Sequence, residues 1–241
     1  MAGHSHWSQI KRAKGAADLK RGQLFSKLAK EITVAVRLGG GDPNFNPRLR
    51  TAIAAARAES MPVDNIERAI KKGTGELEGG ALEEITYEGY GAGGTAVLVE
   101  TATDNKNRTA AEMRALFARQ NGNLGAIGSV AWMFKRKGYF YFPDMTEETL
   151  LEPAIDAGAE DVRTVPGGVE VFCLADQFYA TETALKEKGF TPREGKLIFV
   201  PETPNPISDP DTAQKVLSLI EKLEDHDDVQ NVYTNAEFPS G

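Results

Sequence analysis

Lysines and arginines crowd the first third of this sequence in an arrangement that suits phosphate. Lys11, Arg12, Lys14, Lys20, Arg21, Lys27 and Lys30 all fall within residues 11–30, and such cations bind a nucleic-acid backbone by displacing its condensed counterions. A second grouping, Thr103-Asp104-Asn105-Lys106-Asn107-Arg108-Thr109, sits between a strand end and a helix start. There, side chains and free backbone N–H groups can together hold a phosphate. Helix capping explains its Asn and Asp residues equally well but leaves Lys106 and Arg108 over. A third grouping is acidic: Glu224, Asp225, Asp227 and Asp228 surround His226. Carboxylates of this kind bind hard cations, which keeps a carboxylate-metal hydrolase as a third reading. The cluster lacks the glycine-centred spacing of a calcium loop, and its better use is as a surface offered to a basic partner. Acids at a helix C-terminus oppose the helix dipole, so local stability does not account for them.

Other chemistry is hard to find. Gly89-Tyr90-Gly91-Ala92-Gly93-Gly94 fits G-x-G-x-x-G, but it runs into the strand-like Thr95-Ala96-Val97-Leu98-Val99. A pyrophosphate would meet no helix N-terminus there, so the glycines are read as a hairpin. No phosphate-binding G-x-x-x-x-G-K-[ST] occurs. Gly122-Asn123-Leu124-Gly125 resembles a G-x-x-G clamp without its helix-loop-helix setting, and is read as a flexible loop. Residues 132–142 interleave aromatics with cations, as a base-stacking platform would. Alternation along a strand sends about half of those rings inward, and most are assigned to the core. The single cysteine, Cys173, excludes a paired-cysteine zinc site or an intrachain disulfide and fits a reducing cytoplasm. It reads as a buried strand residue. No cofactor or metal is expected, and no enzymatic constellation is recognised.

Three short amphipathic helices must carry the basic residues. The first, over 18–38, places Phe25, Leu28, Ala29, Ile32 and Val36 on one stripe. At about 100° per residue, Lys20, Lys27, Lys30 and Arg37 share the opposite arc. Asn46-Pro47 opens the second helix as cap and N1 proline. Asp64-Asn65-Ile66-Glu67 opens the third as a capping-box variant. Residues 73–80 read as a linker. Strands over 85–90 and 95–101 and a helix over 107–120 follow. Residues 137–201 spell strand, helix, strand, strand, helix, strand, a ferredoxin-like βαββαβ unit. A helix over 210–223 and a strand over 229–234 then return to the earlier strands. The expected fold is α+β and multidomain: a basic helical domain (1–78), a discontinuous α+β domain (79–134 plus 204–241) and an inserted ferredoxin-like domain (135–203).

The charge pattern sharpens this. Residues 1–75 hold 14 Lys and Arg against 6 Asp and Glu, whereas the remainder holds 14 against 29, within a net charge of −7. A basic module on an acidic body suits a protein that touches phosphate with one part only. At 41% hydrophobic and 26% charged residues over 241 positions the chain is an ordinary globular one. No apolar run nears the roughly 20 residues of a membrane helix, so no membrane partner is expected.

Several segments together resemble the YebC/PmpR family, related to the mitochondrial translational activator of cytochrome c oxidase. They are Gly3-His4-Ser5-His6-Trp7, Leu38-Gly39-Gly40-Gly41-Asp42-Pro43, Tyr87-Glu88-Gly89-Tyr90-Gly91, Asp104-Asn105-Lys106-Asn107-Arg108-Thr109, Gly122-Asn123-Leu124-Gly125 with Gly128-Ser129-Val130-Ala131, and the segment from Leu223 through His226 to Tyr233. His6 departs from the lysine usual in the family. The resemblance implies a helical N-terminal domain followed by two α+β domains, the last inserted in the middle one. It also implies a DNA-binding transcriptional regulator or, in part of the family, a translation factor on the ribosome that binds ribosomal RNA. The expected phosphate contacts are the seven cations of residues 11–30 with Lys106 and Arg108, and the acidic cluster is left for the ribosome or a basic protein.

Overall fold

The computed structural model describes residues 19–238. Its first helix, α1 (Leu19–Gly39), is followed by α2 (Pro47–Ala58) and α3 (Val63–Thr74). Their apolar stripes meet in one cluster of Ile32, Ala35 and Val36 from α1, Leu49, Ala52, Ile53 and Ala56 from α2, and Ile66 and Ala69 from α3. Asn46 locks the α1–α2 connection. Its Oδ1 accepts from the Leu49 N–H at 3.0 Å and its Nδ2 donates to the carbonyls of Ala35 and Gly40, as expected of an N-cap before proline. The capping-box reading of α3 does not hold: Pro62 occupies the N-cap, with no side-chain cap bond. The helix also runs past Gly73, where a Cβ would lie 2.6 Å from that of Val36 and 2.8 Å from the Thr33 carbonyl. That glycine is what lets α1 and α3 pack so closely, and Gly75 ends the helix at φ 84°.

The next strands, β1 (Glu83–Tyr90) and β2 (Ala96–Thr103), form a hairpin in register from Glu83↔Thr103 to Tyr90↔Ala96. The G-x-G-x-x-G segment is its turn. After α4 (Lys106–Arg119) come the short β3 (Asn123–Leu124) and, past the ferredoxin-like unit, α7 (Pro210–Glu224) and β9 (Val229–Thr234). The sheet order is β3-β1-β2-β9. Helices α4 and α7 cover one face through Met113, Phe117, Val216, Leu219, Ile220 and Leu223 packed on Val97, Val99 and Val232. Two short strands, β8 (Asn205–Pro206) and β10 (Ala236–Glu237), one before α7 and one after β9, pair in parallel.

The chain divides into two compact units, one made of residues up to Phe134 together with those from Pro201, the other of Lys135–Val200. The second unit contains most of β4 (Phe134–Pro143), then α5 (Glu147–Asp156), β5 (Ala159–Val165), β6 (Gly168–Leu174), α6 (Phe178–Glu187) and most of β7 (Glu194–Pro201). Its sheet order, β5-β6-β4-β7, is that of a ferredoxin-like βαββαβ unit, as the sequence predicts. Phe140 and Phe142, fully buried, belong to its core, and Phe140 stacks on Phe178 with centroids 4.9 Å apart. Cys173 lies in the same core, where burial pushes its thiol pKa up. No helix of the described residues is long and apolar enough to cross a membrane.

Truncating Phe140 to alanine removes a ring from a close-packed site and is expected to cost about 3–5 kcal/mol. Urea unfolding followed by far-UV circular dichroism checks it, and a loss below about 1 kcal/mol would contradict the assigned core.

Candidate nucleic-acid interface

The basic and acidic groupings meet in the fold. Helix α7 ends at Glu224 and the chain turns through residues 225–228 into β9, and α1 lies against that turn. Lys27 Nζ donates to the Glu224 carbonyl at 2.6 Å, and Lys30 Nζ donates to the Asp227 carbonyl at 2.9 Å and to Asp228 Oδ1 at 2.7 Å. Gln23 Nε2 donates to the Asp225 carbonyl at 3.3 Å. An α-helix leaves its last carbonyls without partners, and Lys27 and Gln23 supply them at Glu224 and the C-cap Asp225, whereas Lys30 reaches the turn beyond.

Asp228 is the centre of this arrangement. Only 4% exposed, it accepts from Lys30 on Oδ1 and, on Oδ2, from Arg108 at 2.8 Å and Thr109 Oγ1 at 2.8 Å. Burial by itself pushes its carboxyl pKa up, but these donors outweigh burial and hold it well below the usual carboxylate range. Its own N–H donates to His226 Nδ1 at 3.1 Å. That leaves the proton on Nε2, which faces Glu112 Oε2 at 2.9 Å. Glu112, His226 and Asp228 bring ligand atoms within 4.8 Å of one another. Both Asp228 oxygens and His226 Nδ1 are nonetheless already engaged, and Lys30 and Arg108 oppose a further cation. In this arrangement the Asp228 carboxylate holds an ammonium and a guanidinium group.

The remaining expected contacts fall into different places. Lys11, Arg12 and Lys14 lie outside the described residues, as do His4 and His6. Lys20 lies in α1, and Arg21 is exposed over the Phe25 ring, 5.6 Å from its centre. Lys106 is exposed at the start of α4. Arg108 faces Asp104 as well as Asp228, and Asn105 caps the helix by accepting from the Arg108 N–H. Capping and cation placement therefore coexist in this segment. The helical region also presents cations that the sequence reading passed over as contacts. Arg57 on α2 and Arg68, Lys71 and Lys72 on α3 are exposed, with no ion pair recorded for any of them among the described residues. Positions 68, 71 and 72 share one helical face. Arg48, by contrast, is spent on Glu31 at 2.8 Å and Glu84 at 2.6 Å.

The sequence reading also missed Glu88. Its buried carboxylate accepts from the backbone N–H groups of Gly128, Val130 and Ala131 at 2.6, 2.8 and 2.7 Å. Burial raises the carboxyl pKa, but the three donors bring it below its ordinary value. The segment Gly122-Asn123-Leu124-Gly125, read as a flexible loop, is instead tied to β1: Asn123 and Leu124 form β3, paired with β1, and the Gly125 N–H donates to the Glu88 carbonyl at 2.8 Å. In sequence Glu88 is one of three glutamates in β1, beside Glu83 and Glu84, and nothing in the strand's pattern marks it as the buried one. Of the aromatic segment, Phe134, Tyr139, Phe140, Tyr141 and Phe142 are buried and Trp132 is exposed. That agrees with the assignment of most rings to the core.

Comparison with known proteins places this architecture among relatives. Residues 5–76 match the profile described as TACO1/YebC protein N-terminal domain, and residues 82–236 match TACO1/YebC second and third domain. A "Probable transcriptional regulatory protein" of Treponema denticola is 56% identical over 100% of this chain and 98% of its own length. One of the same description from Desulfatibacillum aliphaticivorans is 54% identical over 99% and 97%. The crystal structure of a conserved hypothetical protein from Aquifex aeolicus superposes with a TM-score of 0.92 at 49% identity, covering 98% of both chains.

Asp228→Asn is expected to lower stability at pH 7 by about 1.5–3 kcal/mol, the range for hydrogen bonds to a charged group. Because the folded carboxyl titrates below the unfolded one, its contribution is complete above the unfolded value of about 3.9 and is lost as pH falls through the lower folded value. The gap between wild type and variant should therefore shrink between pH 7 and pH 3 in urea titrations. An equal gap at both pH values would contradict the ion-pair assignment.

Proposed function

Because the chain belongs to the TACO1/YebC family, we propose that it is a non-enzymatic, nucleic-acid-binding regulator of gene expression, acting on DNA in transcription. The observation that carries the reading is the set of exposed cations on the helical region that have no ion pair among the described residues: Arg57, Arg68, Lys71 and Lys72, with Lys106 on α4. They stand on a chain whose net charge is −7. On an acidic protein, solvent-facing cations gathered on one module favour a polyanion over an unspecific surface role. Arg21 is exposed as well, and the sequence expectation adds Lys11, Arg12, Lys14 and Lys20 as phosphate contacts. The names of the relatives support a role in transcription. The lone cysteine suits a reducing cytoplasm.

A second reading, a translation factor bound to ribosomal RNA, is favoured by the chemistry of the same face. Arg68, Lys71 and Lys72 supply charge for phosphates, the contact that a binder of folded RNA needs most.

Replacing Arg68 and Lys72 with glutamate should weaken binding to any 24-residue oligonucleotide at least tenfold and flatten the salt dependence by about two counterions. Unchanged affinity and slope, measured by fluorescence anisotropy, would refute the assignment of that face. Selection from random duplex DNA separates the two readings. A transcription factor enriches a site by about a thousandfold or more over bulk DNA. A ribosome binder shows no duplex preference and cosediments with ribosomes.

A further inference from the structure

Lys27 and Lys30 have the right chemistry for phosphate, yet the acidic turn already holds them. We propose that the turn of residues 224–228 is an internal anion that occupies a phosphate-binding surface on α1, so that nucleic acid and the turn compete for the same two lysines. The proposal rests on the nucleic-acid reading above and adds its regulation.

Three observations carry it. The turn offers the lysines oxygens only: the carbonyls of Glu224 and Asp227 and the carboxylate of Asp228, at 2.6, 2.9 and 2.7 Å. That is the donor-to-oxygen geometry a phosphate would present. Release of Lys30 also leaves no orphaned charge. If Lys30 departs, Asp228 keeps Arg108 and Thr109 on Oδ2, and the exposed Asp227 carbonyl is free to take water. Removing every partner of a buried carboxylate is prohibitive, whereas removing one of three is not. Finally, the lysines are long, flexible point charges that can exchange one oxygen ligand for another without a change in helix packing. The apolar side of α1, with Ile32, Ala35 and Val36, stays in the helical cluster throughout.

The test compares full-length variants for binding to a fluorescein-labelled 24-mer of poly(U) and to a 24-base-pair duplex across a salt series. Neutralising the turn should free the lysines. Asp228→Asn is expected to bind about three- to tenfold more tightly, with a salt slope steeper by one to two. Asp227→Asn, an exposed position that places no burden on folding, should move both quantities in the same direction by a smaller amount. Asp211→Asn, at the far end of α7, removes the same charge and should change affinity less than about twofold, because surface charges beyond a Debye length are largely screened. Unchanged or weaker binding by Asp227→Asn and by folded Asp228→Asn would overturn the competition. So would an equal gain from Asp211→Asn, which would reduce the effect to net charge. Absence of binding by the wild type and every variant would instead overturn the nucleic-acid reading itself, and this inference with it.

Discussion

A carboxylate taken out of water has to be paired, and Asp228 decides much of what surrounds it. Its two oxygens draw Lys30 from α1 and both Arg108 and Thr109 from the first turn of α4. Its backbone carbonyl accepts from the Ala102 N–H of β2. Residues nearly 200 positions apart are thus fixed by one side chain at the exit from α7. The apolar cluster of the helices and that of the first sheet share no residue, so polar contacts of this kind set where α1 meets the turn.

The charge asymmetry of the sequence consequently survives only in part on the folded surface. Lys27, Lys30, Arg48 and Arg108 meet carboxylates or carbonyls of the acidic portion. Arg57, Arg68, Lys71, Lys72 and Lys106 remain solvent-facing. Among the described residues the open positive charge therefore lies more on α2, α3 and the start of α4 than on α1. The acidic cluster that the sequence offers to a basic partner has one within the same chain. A protein with anionic mass around a cationic module gains from such an arrangement, because adventitious polyanions meet a partly occupied surface.

What local sequence can reveal is well illustrated by Asn46-Pro47 and by the strand and helix order of residues 137–201. Caps and periodicities are properties of neighbouring residues, and the fold class follows from them. The failures have the opposite origin. Pro62 displaces the expected capping box because a proline ahead of Val63 starts the helix on its own terms. The segment of residues 122–125 looks like a flexible loop because its partners, Glu88 and Gly89 of β1, lie far upstream in the chain. The engagement of Lys27 with Glu224 spans 197 positions, and helical spacing identifies the basic arc without saying what faces it. Arg57, Arg68, Lys71 and Lys72 were legible as residues on outer helix faces. Their standing as the open cations became visible only when the competitors were seen to be occupied.

The central claim is that Asp228 and Lys30 are energetically coupled across the fold, and a double-mutant cycle measures that coupling directly. Lys30→Met, Asp228→Asn and the double variant, unfolded in urea at pH 7 beside the wild type, should give an interaction energy of about 1 kcal/mol or more. Additive losses, with a coupling within about 0.3 kcal/mol of zero, would contradict the account.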